Sequence, residues 1–338
     1  MKNNNFILNL AEKIQQPFLH NKSYLNYQAK IAIALQPYDI KAFSGNGIYL
    51  ETNKGTLMDF CSMTMNNILG QNDFWVKANL IKFLASDYPS YLTSRFEHSL
   101  NAEAILSISK IGNFDQPIVN HKQCNGSDVT ELAIKSGYNN REEHQTKLLS
   151  FKGSFHGQNL TNFLSSDMKR KHLFFFENTS MVEFLPLPPN CENLDTHTSI
   201  TKEESVILKI IEKKHIKNAF SLIIEPIQVN NEIYMFSIPF VKELKKICLA
   251  HNVSFIFDEI QTACGWLGEE SAAERYQVVP DIIAVSKGLT GGNGPLAAII
   301  SNKKHNNLEL GSAEKTNGAD LRSLITCIAV LERLRGVP

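Results

Sequence analysis

Three scarcities bound this 338-residue chain before any motif is read. Charge of one sign is missing: Lys+Arg and Asp+Glu both number 34, so the formal net charge is zero. That excludes a basic footprint for nucleic acid and a polybasic patch for membranes. Clustered cysteine is missing too. Cys61, Cys124, Cys191, Cys248, Cys264 and Cys327 are scattered, with no C-x-x-C and no close histidine partner. A disulfide framework and a metal site are therefore not expected, and a reducing cytosol is the expected setting. Long apolar runs are also absent: none approaches a membrane span, and the opening MKNNNFILNLAEKI is too polar for a secretory signal. With 43% hydrophobic residues, the composition predicts a soluble cytoplasmic protein with one large domain and smaller parts.

What the chain does have is short apolar runs alternating with helical patterns, from about residue 115 onward. PIVNH, KLLSF, SLIIEPI, VSFIF, DIIAVS and LAAIIS read as strands. Between the third and fourth, PFVKELKKICLAHN sets Phe240, Val241, Leu244, Ile247 and Cys248 on one helical face, as a crossover should. The alternation predicts an α/β fold with a doubly wound sheet. Earlier, residues 1–60 carry a helix-like start and then GNGIYLETNKGTLMDF, which reads as a hairpin turning at Asn53-Lys54-Gly55. The segment 186–203 reads as loop. Residues 321–335 place Leu321, Leu324, Ile325, Ile328, Leu331 and Leu334 on one face of a helix that needs something to pack against.

Two polar residues stand at the ends of apolar runs. Asp258 closes VSFIFD, and Lys287 follows DIIAVS about one strand–crossover–strand unit later. Carboxyl ends of strands are where ligands bind in open α/β sheets, and a buried lysine is costly unless paired or chemically used. Two readings are open. One is a structural Asp–Lys ion pair. The other is a Schiff base from Lys287 to a pyridoxal phosphate aldehyde, with Asp258 holding the pyridine nitrogen protonated.

Other stretches carry weaker signals. In CNGSDVTELAIKSGY, Gly126-Ser127 opens a helix, and its free N–H groups with the Ser127 hydroxyl would suit a phosphate; an ordinary cap from Ser127 or Asp128 is the alternative. In SFKGSFHGQN, Phe155 could lay its ring on a flat cofactor, or simply be core. No G-x-S-x-G elbow supports a hydrolase built on Ser154 and His156. LTGGNGP lacks dinucleotide spacing, and no Walker-type GK[ST] occurs, so its glycines fit a backbone passing close to a ligand.

From about Gly45 onward, and most closely over IIEPIQ…FIFDEIQTACGWLGEE…PDIIAVSKGLTGGNGPLAAII, the chain resembles the class III (ornithine/GABA-type) aminotransferases. These are pyridoxal-phosphate enzymes of fold type I, with a large domain built on a mostly parallel seven-stranded sheet. The resemblance implies domains at 1–60 (N-terminal helix and hairpin), 61–320 (large cofactor-binding domain) and 321–338 (the start of a C-terminal small domain that is otherwise truncated). It implies Lys287 as the Schiff-base lysine and Asp258 as the pyridinium partner. Gln261 would bond the ring hydroxyl oxygen, Gly126 and Ser127 the phosphate, and Phe155 would stack on the ring, with Glu225 an acid nearby. Thr316, in TNGAD, would reach a phosphate held by the other subunit of a homodimer. The implied partners are an amino donor and a keto-acid or aldehyde acceptor.

The chain also departs from that family's pattern. Val229-Asn230-Asn231-Glu232 stands where the family has G-E-G-G, and Gly265-Trp266-Leu267-Gly268 where it has G-R-T-G. Racemase, aminomutase or decarboxylase chemistry, or a truncated non-catalytic homologue, are the alternatives to a transaminase. Substrate contacts are expected around Ser62–Met63 and Tyr91–Arg95, with Arg95 either a carboxylate clamp or an ordinary surface arginine.

Overall fold

The computed structural model describes residues 40–93, 95–159 and 181–336. The helix-like start expected within residues 1–39 lies outside them. The described chain opens with a three-stranded antiparallel meander, β1 (Ala42–Asn46), β2 (Tyr49–Thr52) and β3 (Gly55–Met58). Thr52 and Gly55 face each other across the turn, as the Asn-Lys-Gly sequence predicts, and Thr52 Oγ1 donates to the Gly55 carbonyl at 2.7 Å.

Helices α1 (Phe74–Leu84) and α2 (Ser99–Ile108) follow, capped by Asp73 and His98, whose side chains accept from Val76 N and Leu100 N. The rest alternates as the apolar periodicity requires. In chain order it runs β4 (Ile118–Gln123), α3 (Gly126–Asn139), β5 (Lys147–Phe151), β6 (Val182–Leu185), α4 (Lys202–Ile210) and β7 (Ala219–Ile224). A short hairpin, β8 (Ile227–Gln228) and β9 (Tyr234–Met235), precedes α5 (Ile238–Ala250), β10 (Ser254–Asp258), α6 (Ala272–Tyr276), β11 (Ile282–Val285), β12 (Ala297–Ser301) and α7 (Leu321–Leu334).

Seven strands form one sheet in the order β4-β12-β11-β10-β7-β5-β6. β11, β10, β7, β5 and β6 pair in parallel, while β12 runs antiparallel to both β11 and β4. All six expected strands are present. The seventh, VEFL at 182–185, was not read as a strand because only two of its four residues are buried.

The central strands are buried on both faces. Every residue of β7, β10, β11 and β12 is buried, which is why they read as nearly unbroken apolar runs. One face is covered by α3, whose Val129, Leu132, Ala133 and Ile134 pack with Ile223, Ile256 and Ile282. On the other, α5 buries the five residues expected, Phe240, Val241, Leu244, Ile247 and Cys248. That helix begins with Ser237 accepting from Phe240 N and a proline in its first turn, the usual start signal.

Helix α7 finds its packing partner inside the described chain. Leu321, Leu324, Ile328 and Leu331 join the main core, and Ala329 and Val330 meet Val76 of α1. All six cysteines are free thiols. Among the described residues, no helix is long and apolar enough to cross a membrane and no group of three or more His, Cys, Asp or Glu could hold a metal ion.

Candidate active site

The carboxyl ends of β4, β5, β7, β10 and β11 converge on a cavity of about 280 Å³ lined by Gly126, Ser127, Phe155, Glu225, Asp258 and Lys287, among others. Each strand delivers one piece, because a parallel sheet puts all its carboxyl ends on one side.

Asp258 is the last residue of β10 and is buried. Its Oδ2 lies 2.7 Å from His156 Nδ1, and Ile260 N–H donates to Oδ1 at 3.2 Å. Lys287 follows β11 by two residues and opens a short 3₁₀ turn. Its φ of 43° lies in the left-handed region, where a side-chain-bearing residue is uncommon and the backbone is strained by about 1–3 kcal/mol. Among the described residues, no carboxylate stands within salt-bridge distance of its amine. The structural ion-pair reading of Asp258 and Lys287 is therefore not realised; both side chains face the same cavity, and it is His156 that holds the aspartate. Burial pulls the Lys287 ammonium below its usual range, with Asp258 and Glu225 opposing. The neutral, nucleophilic amine is correspondingly favoured.

Glu225 follows β7 directly and is also buried. Its Oε1 accepts from Phe155 N at 2.8 Å and its Oε2 from Gln261 Nε2 at 3.4 Å. Burial and then the neighbouring Asp258 push its carboxyl well above the usual range, against Phe155 N–H, Lys287 and Gln261.

Across the cavity lies the start of α3. Asn125 is its cap, accepting from Asp128 N at 3.0 Å, which corrects the expectation that Ser127 or Asp128 would cap it. The cap thereby leaves Ser127 to face the cavity. Gly126 packs closely on Ile260: a Cβ there would stand 2.9 Å from Ile260 Cδ1, so the isoleucine would have to shift. The Ser127 hydroxyl accepts from Gln158 N at 3.0 Å. A 14-residue helix beginning at glycine, with the Ser127 hydroxyl in its first turn, is a favourable anion environment.

The structure thus brings together Gly126, Ser127, Phe155, Glu225, Asp258, Gln261 and Lys287. Thr316 lies elsewhere, exposed on the loop before α7, its carbonyl accepting from the Tyr91 hydroxyl at 2.8 Å. Arg95 is exposed on a turn and does not line the cavity. Nor do Ser62 and Met63, which begin four successive left-handed residues ending at Met65, anchored by Asp59 accepting from Cys61 N and Met63 N at 3.0 Å each.

Four lining residues were not singled out for this site by the sequence: Asn125, His156, Gly157 and Ile260. For His156, the signal was its place directly after Phe155. Its partnership with Asp258, 102 positions away, had none.

Known proteins similar to this chain are aminotransferases by name. The chain is 26% identical over 270 residues to an adenosylmethionine-8-amino-7-oxononanoate aminotransferase of Helicobacter pylori, covering 76% of this chain and 58% of that protein. It is 33% identical over 189 residues to the same-named protein of Buchnera aphidicola subsp. Schizaphis graminum, covering 53% and 41%. The chain therefore spans less than two thirds of the length of these curated relatives. Among solved structures, it shares the fold of an amine transaminase from an uncultivated Pseudomonas species, solved in a PLP-bound (internal aldimine) form. The TM-score is 0.79 at 19% identity, over 92% of this chain and 76% of that one. The model of the aminotransferase class-III family matches residues 33–336, and the chain belongs to that family.

Proposed function

We propose that this chain is a pyridoxal-phosphate-dependent aminotransferase that moves an amino group from an amino acid or amine to a keto acid or aldehyde. The observation that carries the reading is the convergence, in a class-III chain, of a half-buried lysine, a buried aspartate and a glycine-opened helix start on one cavity. The residues fit the cofactor's chemistry piece by piece. Gly126 and Ser127 suit a phosphate at the α3 start, Phe155 offers a flat face, and Asp258 offers a carboxylate to a pyridine N–H.

When bound, pyridoxal phosphate supplies an aldehyde carbon that bonds amines and a protonated ring that draws electrons from the substrate carbon. Lys287 Nζ is the group that would hold that aldehyde carbon, losing water as it bonds. Once a substrate amine has displaced it, the freed amine would stand where it can carry a proton from the substrate Cα. Burial serves both steps by making the Lys287 ammonium easier to deprotonate, with Asp258 and Glu225 opposing. Asp258, oriented by His156 and the Ile260 N–H, is the carboxylate that would hold a pyridine N–H. Glu225, its carboxyl pushed above the usual range by burial, and Gln261, which donates to it, would offer hydrogen-bonding groups to the ring's substituents.

The active form in this reading is a homodimer, with Thr316 reaching the phosphate held by the other subunit; its exposure outside the chain's own cavity supports this. Borohydride reduction of protein incubated with pyridoxal phosphate, followed by peptide mass spectrometry, tests the reading. The cofactor is expected on the peptide containing Lys287. Label on other lysines only, or none, would overturn it.

A further inference from the structure

The loop that delivers Phe155 and His156 is held from behind by residues that do not line the cavity. Gln228, buried at the end of β8, donates from Nε2 to the Lys152 carbonyl at 3.1 Å and accepts at Oε1 from Asn231 Nδ2 at 2.8 Å. Asn231 is fixed in turn by its own backbone, its N–H donating to the Gln228 carbonyl at 3.1 Å and its carbonyl accepting from Tyr234 N at 3.0 Å. At Gly153 the chain turns with a φ of 75°, and the place a Cβ would take is filled. Asn231 Nδ2 would lie 2.3 Å from such an atom and Gln228 Oε1 2.9 Å. Two residues further on, Phe155 N–H donates to Glu225, and next to it His156 meets Asp258.

We propose that Asn231 and Gln228 are positioning residues that clamp the turn at Lys152–Gly153 and so set where the Phe155 ring and the His156 imidazole stand in the cavity. The inference rests on the aminotransferase reading for what that position accomplishes, namely ring stacking and orientation of Asp258. The physical argument is one of rigidity. A two-residue clamp anchored in a hairpin fixes the direction in which the loop leaves β5, and the fixed direction spares the cofactor the cost of ordering that loop on binding. Without the clamp, a left-handed turn at glycine has many alternatives.

The test uses Asn231→Ala, which empties the clamp, and Asn231→Asp, which keeps its shape but sets an acceptor against Gln228 Oε1. Amide hydrogen exchange across residues 152–158 of the cofactor-free full chain should quicken about tenfold in both variants relative to wild type. Pyridoxal phosphate should bind both about tenfold more weakly, with diminished visible circular dichroism of what is bound. In a Phe155→Ala background, Asn231→Ala should add less than its single effect on affinity, because the group it positions is gone. Unchanged exchange in 152–158 would overturn the clamp, and so would an affinity loss fully additive with Phe155→Ala. If wild type binds no pyridoxal phosphate, the aminotransferase reading fails instead, and the exchange measurement still decides the clamp.

Discussion

Strand β11 has an aspartate–lysine couple at each end, and the two couples are built differently. At its amino end, Asp281 Oδ2 accepts from Lys245 Nζ and from Phe255 N, both at 2.8 Å, while Asn302 Nδ2 donates to Oδ1 at 3.3 Å. Next to them, His305 is held between Ser254 Oγ at 2.9 Å and Asn302 Oδ1 at 2.8 Å. Every one of these polar groups has its partner. At the carboxyl end, Asp258 and Lys287 face one cavity and the lysine is left without a salt bridge among the described residues. The same residue types do structural work where their charges meet, and become available for chemistry where a cavity keeps them apart. What distinguishes the two ends is polar satisfaction, not composition.

The sharpest way to break the comparison is to remove each lysine. If Lys287 has the role proposed for it, Lys287→Ala should lower turnover by about 10³-fold or more while the melting temperature stays near wild type. Lys245→Ala should do the reverse, costing about 1–2 kcal/mol in denaturant titration with turnover nearly intact. A stable, fully active Lys287→Ala would erase the distinction. Asp258→Asn comes next: in the proposed role it should cost about 10²-fold or more in turnover, because a neutral amide would not hold a pyridine nitrogen charged.

A pH titration sharpens the amino-end side. Burial holds the His305 imidazole down at about 4, with Asp281 opposing and Lys304 and Lys245 adding to the lowering. A folded value below the unfolded 6.5 means that its contribution is complete above that pH. The contribution is then lost as pH falls toward 4. His305→Gln should therefore lose less stability than wild type between pH 7 and 5, by about 2 kcal/mol, as read from urea midpoints. Glu259 acts in the opposite direction, its buried carboxyl pushed up to about 7. His121 is lowered like His305, to about 4. The difference between the two proteins, and not the wild-type slope, is accordingly the readout. The smallest effect is that of Asn125→Ala, which removes the α3 cap for about 1 kcal/mol and should loosen phosphate binding more than it lowers stability.

Much of the fold was open to reading from local pattern. Six of the seven sheet strands announced themselves as apolar runs, and the five buried residues of α5 follow helical spacing. Asp258 and Lys287 stood out because polar residues at the ends of such runs are rare. VEFL was missed since a half-buried outer strand carries a weak signal. The antiparallel direction of β12 was equally hidden, as a fully buried strand reads the same in either direction. By local pattern His156 reads as an ordinary satisfied polar residue, because its partner is far away in sequence.

The primary structure by itself determined where strands and helices form and which side chains end up at strand termini, because periodicity and burial are local properties of a chain. It also determined which lysine and which aspartate could meet. Only the tertiary structure decided that they would face each other across a cavity and not pair, that His156 would take the aspartate, and that Asn231 would fill the space beside Gly153. Those outcomes depend on strand order and on loops closing over distances no local pattern encodes, so they exist only once the sheet is assembled.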